Sequence, residues 1–307
     1  MKICIPLLAA LTLIAFLAAS RADGPAQDKA SAERVSLLAG VKRFGYQLQK
    51  LDVKAASASD ADLLVIEPHA DGKPRTPAEI AHLQKKPDGS RRIVLAYLSI
   101  GEAEDYRPYW KKEWKTKPPA WLGAENPQWK GNYAVKYWDP QWQALILGNK
   151  DAPLDRIIAE GYDGAYLDII DGYETWEQKG VKDARPSMIV WAKRIAEHAR
   201  KTKPLFLIVP QNGAALGQDK GYLAMVDALG REDLFFNGDK RQKVSETTGG
   251  IAEIKAFLAA KKPVFLIEYC KKETNAAEVL RRARENKYIP LVTVRKLDQL
   301  RVTPPEK

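Results

Sequence analysis

Short apolar runs bounded by turn residues alternate along this chain with longer segments whose apolar positions recur at helical spacing. The runs are Phe44-Gly45-Tyr46-Gln47-Leu48, Leu63-Leu64-Val65-Ile66, Ile93-Val94-Leu95-Ala96-Tyr97-Leu98, Gly164-Ala165-Tyr166-Leu167 and Leu205-Phe206-Leu207-Ile208-Val209. They continue with Leu234-Phe235-Phe236 (led in by Val226-Asp227-Ala228-Leu229), Val264-Phe265-Leu266-Ile267 and Ile289-Pro290-Leu291-Val292-Thr293-Val294. Unbroken apolar runs of this length are what strands covered on both faces look like, which means a parallel sheet. Between them lie helical patterns at 77–83, capped by Thr76 with Pro77 in the first turn, and at 187–201, 251–260 and 276–286.

Eight strand candidates with interleaved helices fit an α/β fold, a single (β/α)8 barrel over residues 39–303. An open doubly wound sheet is the rival arrangement of the same elements. No internal repeat and no linker divides the domain. Residues 23–38 are polar and read as a flexible N-terminal segment.

Residues 1–22 carry a short basic start, an apolar stretch from Ile3 to Ala19 and a small-x-small site at Ser20-Arg21-Ala22. That is the pattern of a cleaved signal peptide, so a secreted or periplasmic location is expected. No later apolar segment approaches membrane length, so no stable membrane insertion is expected after cleavage. Cleavage would leave Cys270 as the only thiol, excluding an internal disulfide.

Composition excludes several classes. Two cysteines and three scattered histidines (His69, His82, His198) support neither a disulfide scaffold nor a dedicated metal site. Phosphate-loop and dinucleotide glycine motifs are absent. No cofactor is expected. The net charge is +10, or +8 without residues 1–22, but the basic residues are dispersed and no aromatic-basic RNA motif accompanies them. Nucleic acid is therefore not an expected partner, although a basic surface could still attract an anionic one.

Function in a parallel α/β barrel sits where the strands end. Five of the eight ends carry an acid: Glu67; the Glu102, Glu104 and Asp105 group; Asp168, followed by Asp171 and Tyr173; Glu232; and Glu268. The fifth strand adds Gln211 and Asn212. Each acid has a plainer reading. Asp171 could cap the next helix, Glu104 and Asp105 could be solvated, and Glu268 could pair with a base. Convergence favours chemistry, because clustered carboxylates raise one another's pKa until one can serve as an acid. Glycosidic cleavage and metal-assisted phosphate chemistry both use such clusters. Seven of the eight tryptophans fall between Trp110 and Trp176, six of them in a long loop excursion after the third strand, 106–143. They either pack that excursion onto the barrel or stack on sugar rings.

The segments Phe44–Gln49, Ala96–Glu104 and Gly161–Tyr173, together with Pro210-Gln211-Asn212-Gly213, Glu232-Asp233-Leu234-Phe235 and Ile267-Glu268-Tyr269, resemble glycoside hydrolase family 114 over nearly the whole chain. These are the endo-α-1,4-polygalactosaminidases. The resemblance implies a (β/α)8 barrel with Asp168 as nucleophile or base and Glu232 as general acid/base. It also implies sugar contacts from Tyr46, Glu67, Glu102, Asp171, Tyr173, Asn212 and Glu268, with no metal. Glu67 stands where the family more often has Asp, and Phe44 where Trp is common. The expected activity is endo-hydrolysis of a galactosamine-containing or related polysaccharide by a monomer. A non-catalytic glycan-binding barrel and a metal-dependent hydrolase are the alternatives.

Overall fold

The computed structural model of the chain describes residues 24–70 and 72–305. The signal-peptide assignment to residues 1–22 lies outside the described residues.

Eight parallel strands organise the domain: β1 (Phe44–Gln47), β2 (Leu63–Ile66), β3 (Ile93–Ser99), β4 (Gly164–Asp168), β5 (Leu207–Pro210), β6 (Leu229–Glu232), β7 (Val264–Glu268) and β8 (Ile289–Val292). The first five form one sheet in sequence order and the last three a second. A single parallel bridge, Gln211 to Gly230, links β5 to β6. At the other seam β8 packs beside β1, and the C-terminal segment covers part of β1's edge. Gly45 bridges Val302, and Thr303 donates its backbone N–H to the Phe44 carbonyl at 2.9 Å. Among the described residues the hydrogen bonding thus forms two ladders rather than one continuous ring. The parallel α/β layout matches expectation; the closed sheet goes beyond what these ladders contain.

Side-chain parity separates two cores. Phe44, Tyr46, Leu63, Val65, Ile93, Leu95, Tyr166, Leu207, Val209, Phe265, Ile267 and Leu291 alternate along their strands and pack with one another in one cluster. Their strand neighbours, such as Leu64, Ile66, Val94, Ala96, Ala165 and Leu266, pack in a second cluster with the helices. A period of two is what puts alternate residues on opposite faces.

Gly230 carries β6 past Tyr166. A Cβ there would fall 1.8 Å from the Tyr166 hydroxyl oxygen. This explains why the sixth strand lies at Leu229–Glu232 and not at the expected 234–236. The inward position must be empty, so the strand sequence Leu-Gly-Arg-Glu carries no apolar run.

Two further expectations change. The N-terminal segment 23–38, expected to lack regular structure, carries helix α1 (Gly24–Ala39). Arg34 donates from Nε to Asp227 at 3.0 Å and from Nη1 to the Pro204 carbonyl at 2.8 Å, and both partners of the ion pair are buried. Leu38, one turn on, joins the inner core. The excursion after β3 is in turn an ordered antiparallel sheet, Glu102–Glu104, Asn132–Val135 and Leu122–Glu125, with Asn132–Val135 central. Most of its tryptophans pack. Trp114 and Trp121 meet edge-on at 5.1 Å, Trp121 and Trp142 lie 5.3 Å apart, and Trp121 and Trp142 are fully buried.

Candidate active site

The strands' C-terminal ends open into a cleft of about 850 Å³. Its floor is set by parity. Tyr46, Glu67, Tyr97, Asp168, Gln211, Glu232 and Tyr269 each stand an even number of residues along the chain from a nearby inner-core residue, Glu232 from Ala228, and all seven line the cleft. Glu268 has the opposite parity.

Asp168 ends β4 opposite Ser99 of β3, and Tyr97, two pairs lower, faces Tyr166. The Tyr97 hydroxyl donates to Asp168 Oδ2 at 2.7 Å. Burial pushes Asp168 up to about 6, against the hydrogen bond from Tyr97, which lowers it. Glu232 ends β6. Gln211 Nε2 donates to its Oε2 at 2.7 Å and the Tyr269 hydroxyl donates to Oε1. Burial and the nearby charge of Asp168 push Glu232 up to about 8, with the Tyr269 hydrogen bond pulling the other way. The two carboxyls therefore straddle neutrality. Asn212 accepts the Glu232 backbone N–H at 3.1 Å and sits in the left-handed region at φ 62°, as do Ile169 and Asp233, the residues after the two acids. Such conformations concentrate at functional sites.

Asp171 heads the helix Gly172–Gln178 but makes no side-chain capping bond. It lines the cleft, where burial and the charge of Asp168 raise it to about 7. The capping explanation therefore fails. Tyr46 lies under the acids, fully buried against Tyr166 at 5.4 Å between ring centroids.

The remaining expected residues divide. Glu67 lines the cleft but is committed to Arg107, whose Nη2 donates to Oε2 at 3.1 Å, and to His69. Burial would raise its pKa, but the His69 hydrogen bond and the Arg107 charge outweigh that and hold it below the usual value. Arg107 also binds Glu104, which is buried and takes the Tyr106 hydroxyl at 2.5 Å, so Glu104 is not solvated. Glu102 lines the cleft as well. Its oxygens accept Asn126 Nδ2 at 2.8 Å and Asn132 Nδ2 at 3.2 Å, clamping the turn between the outer strand Leu122–Glu125 and the central strand Asn132–Val135 of the antiparallel sheet.

Two assignments are corrected. Tyr173 is fully buried beneath Arg185 and bonds Glu174; it is not among the cleft residues. Glu268 is fully buried and accepts the backbone N–H groups of Phe235 at 2.7 Å and Phe236 at 3.2 Å. It pairs with neither Arg nor Lys but fixes the loop that follows Glu232, because its parity turns it away from the cleft. Tyr97, Gln211 and Tyr269 are the residues that contact the acids without having been singled out for it. Even spacing from Leu95, Val209 and Ile267 is the signal that finds them. Among the described residues, no group of three or more His, Cys, Asp or Glu is placed to hold a metal.

Acids meeting where parallel strands end, on a bed of tyrosines, place the chain with the α/β glycoside hydrolases in architecture. The glycoside hydrolase domain of PelA from Pseudomonas aeruginosa superposes with a TM-score of 0.66 at 18% identity, over 85% of this chain and 97% of that one. The α-galactosidase TtGalA from Thermus thermophilus reaches 0.51 at 10% identity, over 88% and 66%. At the sequence level, the profile of glycoside-hydrolase family GH114 matches residues 24–307, and the chain belongs to that family. An uncharacterized protein of Deinococcus radiodurans is 40% identical over 267 residues, 87% of this chain and 83% of the relative. One from Methanocaldococcus jannaschii is 38% identical over 275 residues, 84% and 77%. Among the described residues no helix is long and apolar enough to cross a membrane.

Proposed function

We propose that this family member is an extracytoplasmic, monomeric, endo-acting hydrolase of a galactosamine-containing or chemically related polysaccharide. In this reading the eight strands act as one barrel, with Glu232 as general acid/base and Asp168 as the ionised partner. The observation that carries it is the opposed environment of the two carboxyls. At neutral pH Glu232, held up to about 8, keeps its proton, while Asp168, near 6, is ionised. A protonated acid delivers its proton to the departing glycosidic oxygen as the C–O bond breaks, and an ionised carboxylate meets the positive charge growing at the anomeric carbon, as nucleophile or as base for water. Tyr97 aims Asp168; Gln211 and Tyr269 aim Glu232. Asp171, Tyr46 and Asn212 are left to contact sugar hydroxyls or amines.

The substrate class draws support from local charge. Arg107 pairs with both Glu67 and Glu104, whereas among the described residues Glu102, Asp168, Asp171 and Glu232 have no Lys or Arg partner. Glu232 keeps its proton and Lys130, Arg295 and Lys296 also line the cleft, so the attraction for an amino sugar rests on the ionised Asp168 with Glu102 and Asp171 at the strand ends and not on the cleft's total charge.

The test is product release from a panel of soluble glycans, α-1,4-galactosaminogalactan included, by wild type, Asp168→Asn and Glu232→Gln. Oligosaccharides from wild type alone support the reading and name the substrate. Binding without cleavage by wild type points to a non-catalytic glycan-binding protein, and equal activity in all three means the wrong carboxylates.

A further inference from the structure

Five large apolar side chains are exposed among the described residues, and only two of them are aromatic, Tyr106 and Trp129. Both line the same cleft as the paired acids, and both come from the excursion after β3. Trp129 is 52% exposed although the other tryptophans pack inward. Exposing an indole beside a cleft gains nothing for folding, whereas a ring held still at a cleft wall binds with little entropy left to lose.

The backbone that carries Trp129 and the ring of Tyr106 are both held in place. Trp129 sits in the turn 126–132, where its N–H donates to the Asn126 carbonyl at 3.2 Å and its carbonyl accepts the Asn132 N–H at 3.0 Å. Both asparagines are tied by their side chains to Glu102. Tyr106 is fixed through its hydroxyl to Glu104 and by the Arg107 guanidinium 5.1 Å from its ring centroid. Aromatic faces are negative and meet the weakly positive C–H face of a pyranose.

We propose that Trp129 and Tyr106 form a stacking platform for a sugar unit remote from the scissile bond, so that the wall built by the antiparallel sheet selects chains of several residues over short ones. This rests on the glycan-hydrolase reading above and adds where the polymer runs. The platform discriminates by ring face and chain length, while the acids discriminate by charge.

The test uses the full-length Asp168→Asn protein and an α-1,4-linked galactosamine hexamer, and it does not require turnover. Iodide quenching of tryptophan fluorescence is compared with and without hexamer, and the share due to Trp129 is defined by Trp129→Phe. The expected result is that bound hexamer removes the Trp129 share of quenching. In the otherwise wild-type enzyme, Trp129→Ala should lose roughly tenfold in kcat/KM on polymer, carried by KM, the size of one lost stacking contact. Hexamer that binds by calorimetry yet leaves the quenching unchanged overturns the platform, as does failure of the hexamer to bind or a wild-type KM in both Trp129→Ala and Tyr106→Ala. A failure of the hydrolase reading looks different: wild type then releases no product, whatever the fluorescence does.

Discussion

Two tyrosines pull the two carboxyls toward ionisation, and removing either hydroxyl should move one limb of the pH–rate profile and leave the other in place. Tyr97 donates to Asp168 at 2.7 Å and lowers its pKa; Tyr269 donates to Glu232 and lowers that one. If Asp168 must be ionised and Glu232 protonated, kcat/KM follows a bell with an acid limb near 6 and an alkaline limb near 8. Tyr97→Phe takes a donor from Asp168, raises its pKa, and moves the acid limb to higher pH, so the bell narrows. Tyr269→Phe raises Glu232 and moves the alkaline limb to higher pH, so the bell widens. A hydrogen bond to a charged group is worth about 1.5–3 kcal/mol and one pKa unit is about 1.4 kcal/mol, so with water replacing part of the loss each limb should move by roughly one unit. The assay is initial rate at low substrate from about pH 4 to 10 for wild type and both variants, the rates being those of the coupled pair. A Tyr269→Phe profile whose alkaline limb stays or falls, or a Tyr97→Phe profile that widens, refutes the assignment.

Other consequences concern stability. Glu268 is raised to about 8 from an ordinary 4.5, chiefly by burial, so between those values the folded chain holds a proton that the unfolded chain has released, and this group's contribution makes stability fall as pH rises through the window. Glu268→Gln cannot ionise and should flatten that part of the dependence in urea titrations at pH 5 and 8; an unaltered slope would exclude Glu268 as its source. Arg34→Ala removes a buried partner of Asp227, which keeps Arg200 at 2.7 Å, so a loss of about 2–3 kcal/mol is expected by chemical denaturation, below the full cost of breaking a buried pair. Gly230→Ala places a methyl 1.8 Å from the Tyr166 hydroxyl oxygen, and about 1–3 kcal/mol of overpacking strain should appear as a lowered Tm together with reduced activity. The double variant Gly230→Ala/Tyr166→Phe should recover most of that Tm, and no recovery would place the strain elsewhere.

The parallel strands were legible because most of them are apolar on both faces, and a run such as Leu63–Ile66 announces itself with its limits intact. The sixth was displaced because its inward residue is Gly230, a vacancy made for a side chain on another strand, and vacancies carry no hydrophobic signal. Helix α1 was hidden by composition: its anchor is Arg34, a charge that reads as surface until its partner Asp227, 193 positions away, is known. The acids at strand ends are visible as a set in the sequence, but their being strand ends does not say which face each one takes. Parity separates Glu232 and Asp168, which line the cleft, from Glu268, which braces a loop. The bond from Arg107 to Glu67 joins residues 40 positions apart. No local pattern predicts such a pairing, so a committed carboxylate and a free one look alike in sequence.

The roles of the two acids are tested most directly by comparing the α-1,4-linked polymer with an aryl glycoside of the same sugar whose leaving group departs without protonation. General acid catalysis contributes about 10²- to 10⁴-fold, and it is needed only where the leaving group is poor. Glu232→Gln should therefore lose a factor of that order on polymer and far less on the aryl glycoside, while Asp168→Asn should fail on both. Equal losses on the two substrates for Glu232→Gln, or a leaving-group dependence that appears in Asp168→Asn instead, would contradict the account.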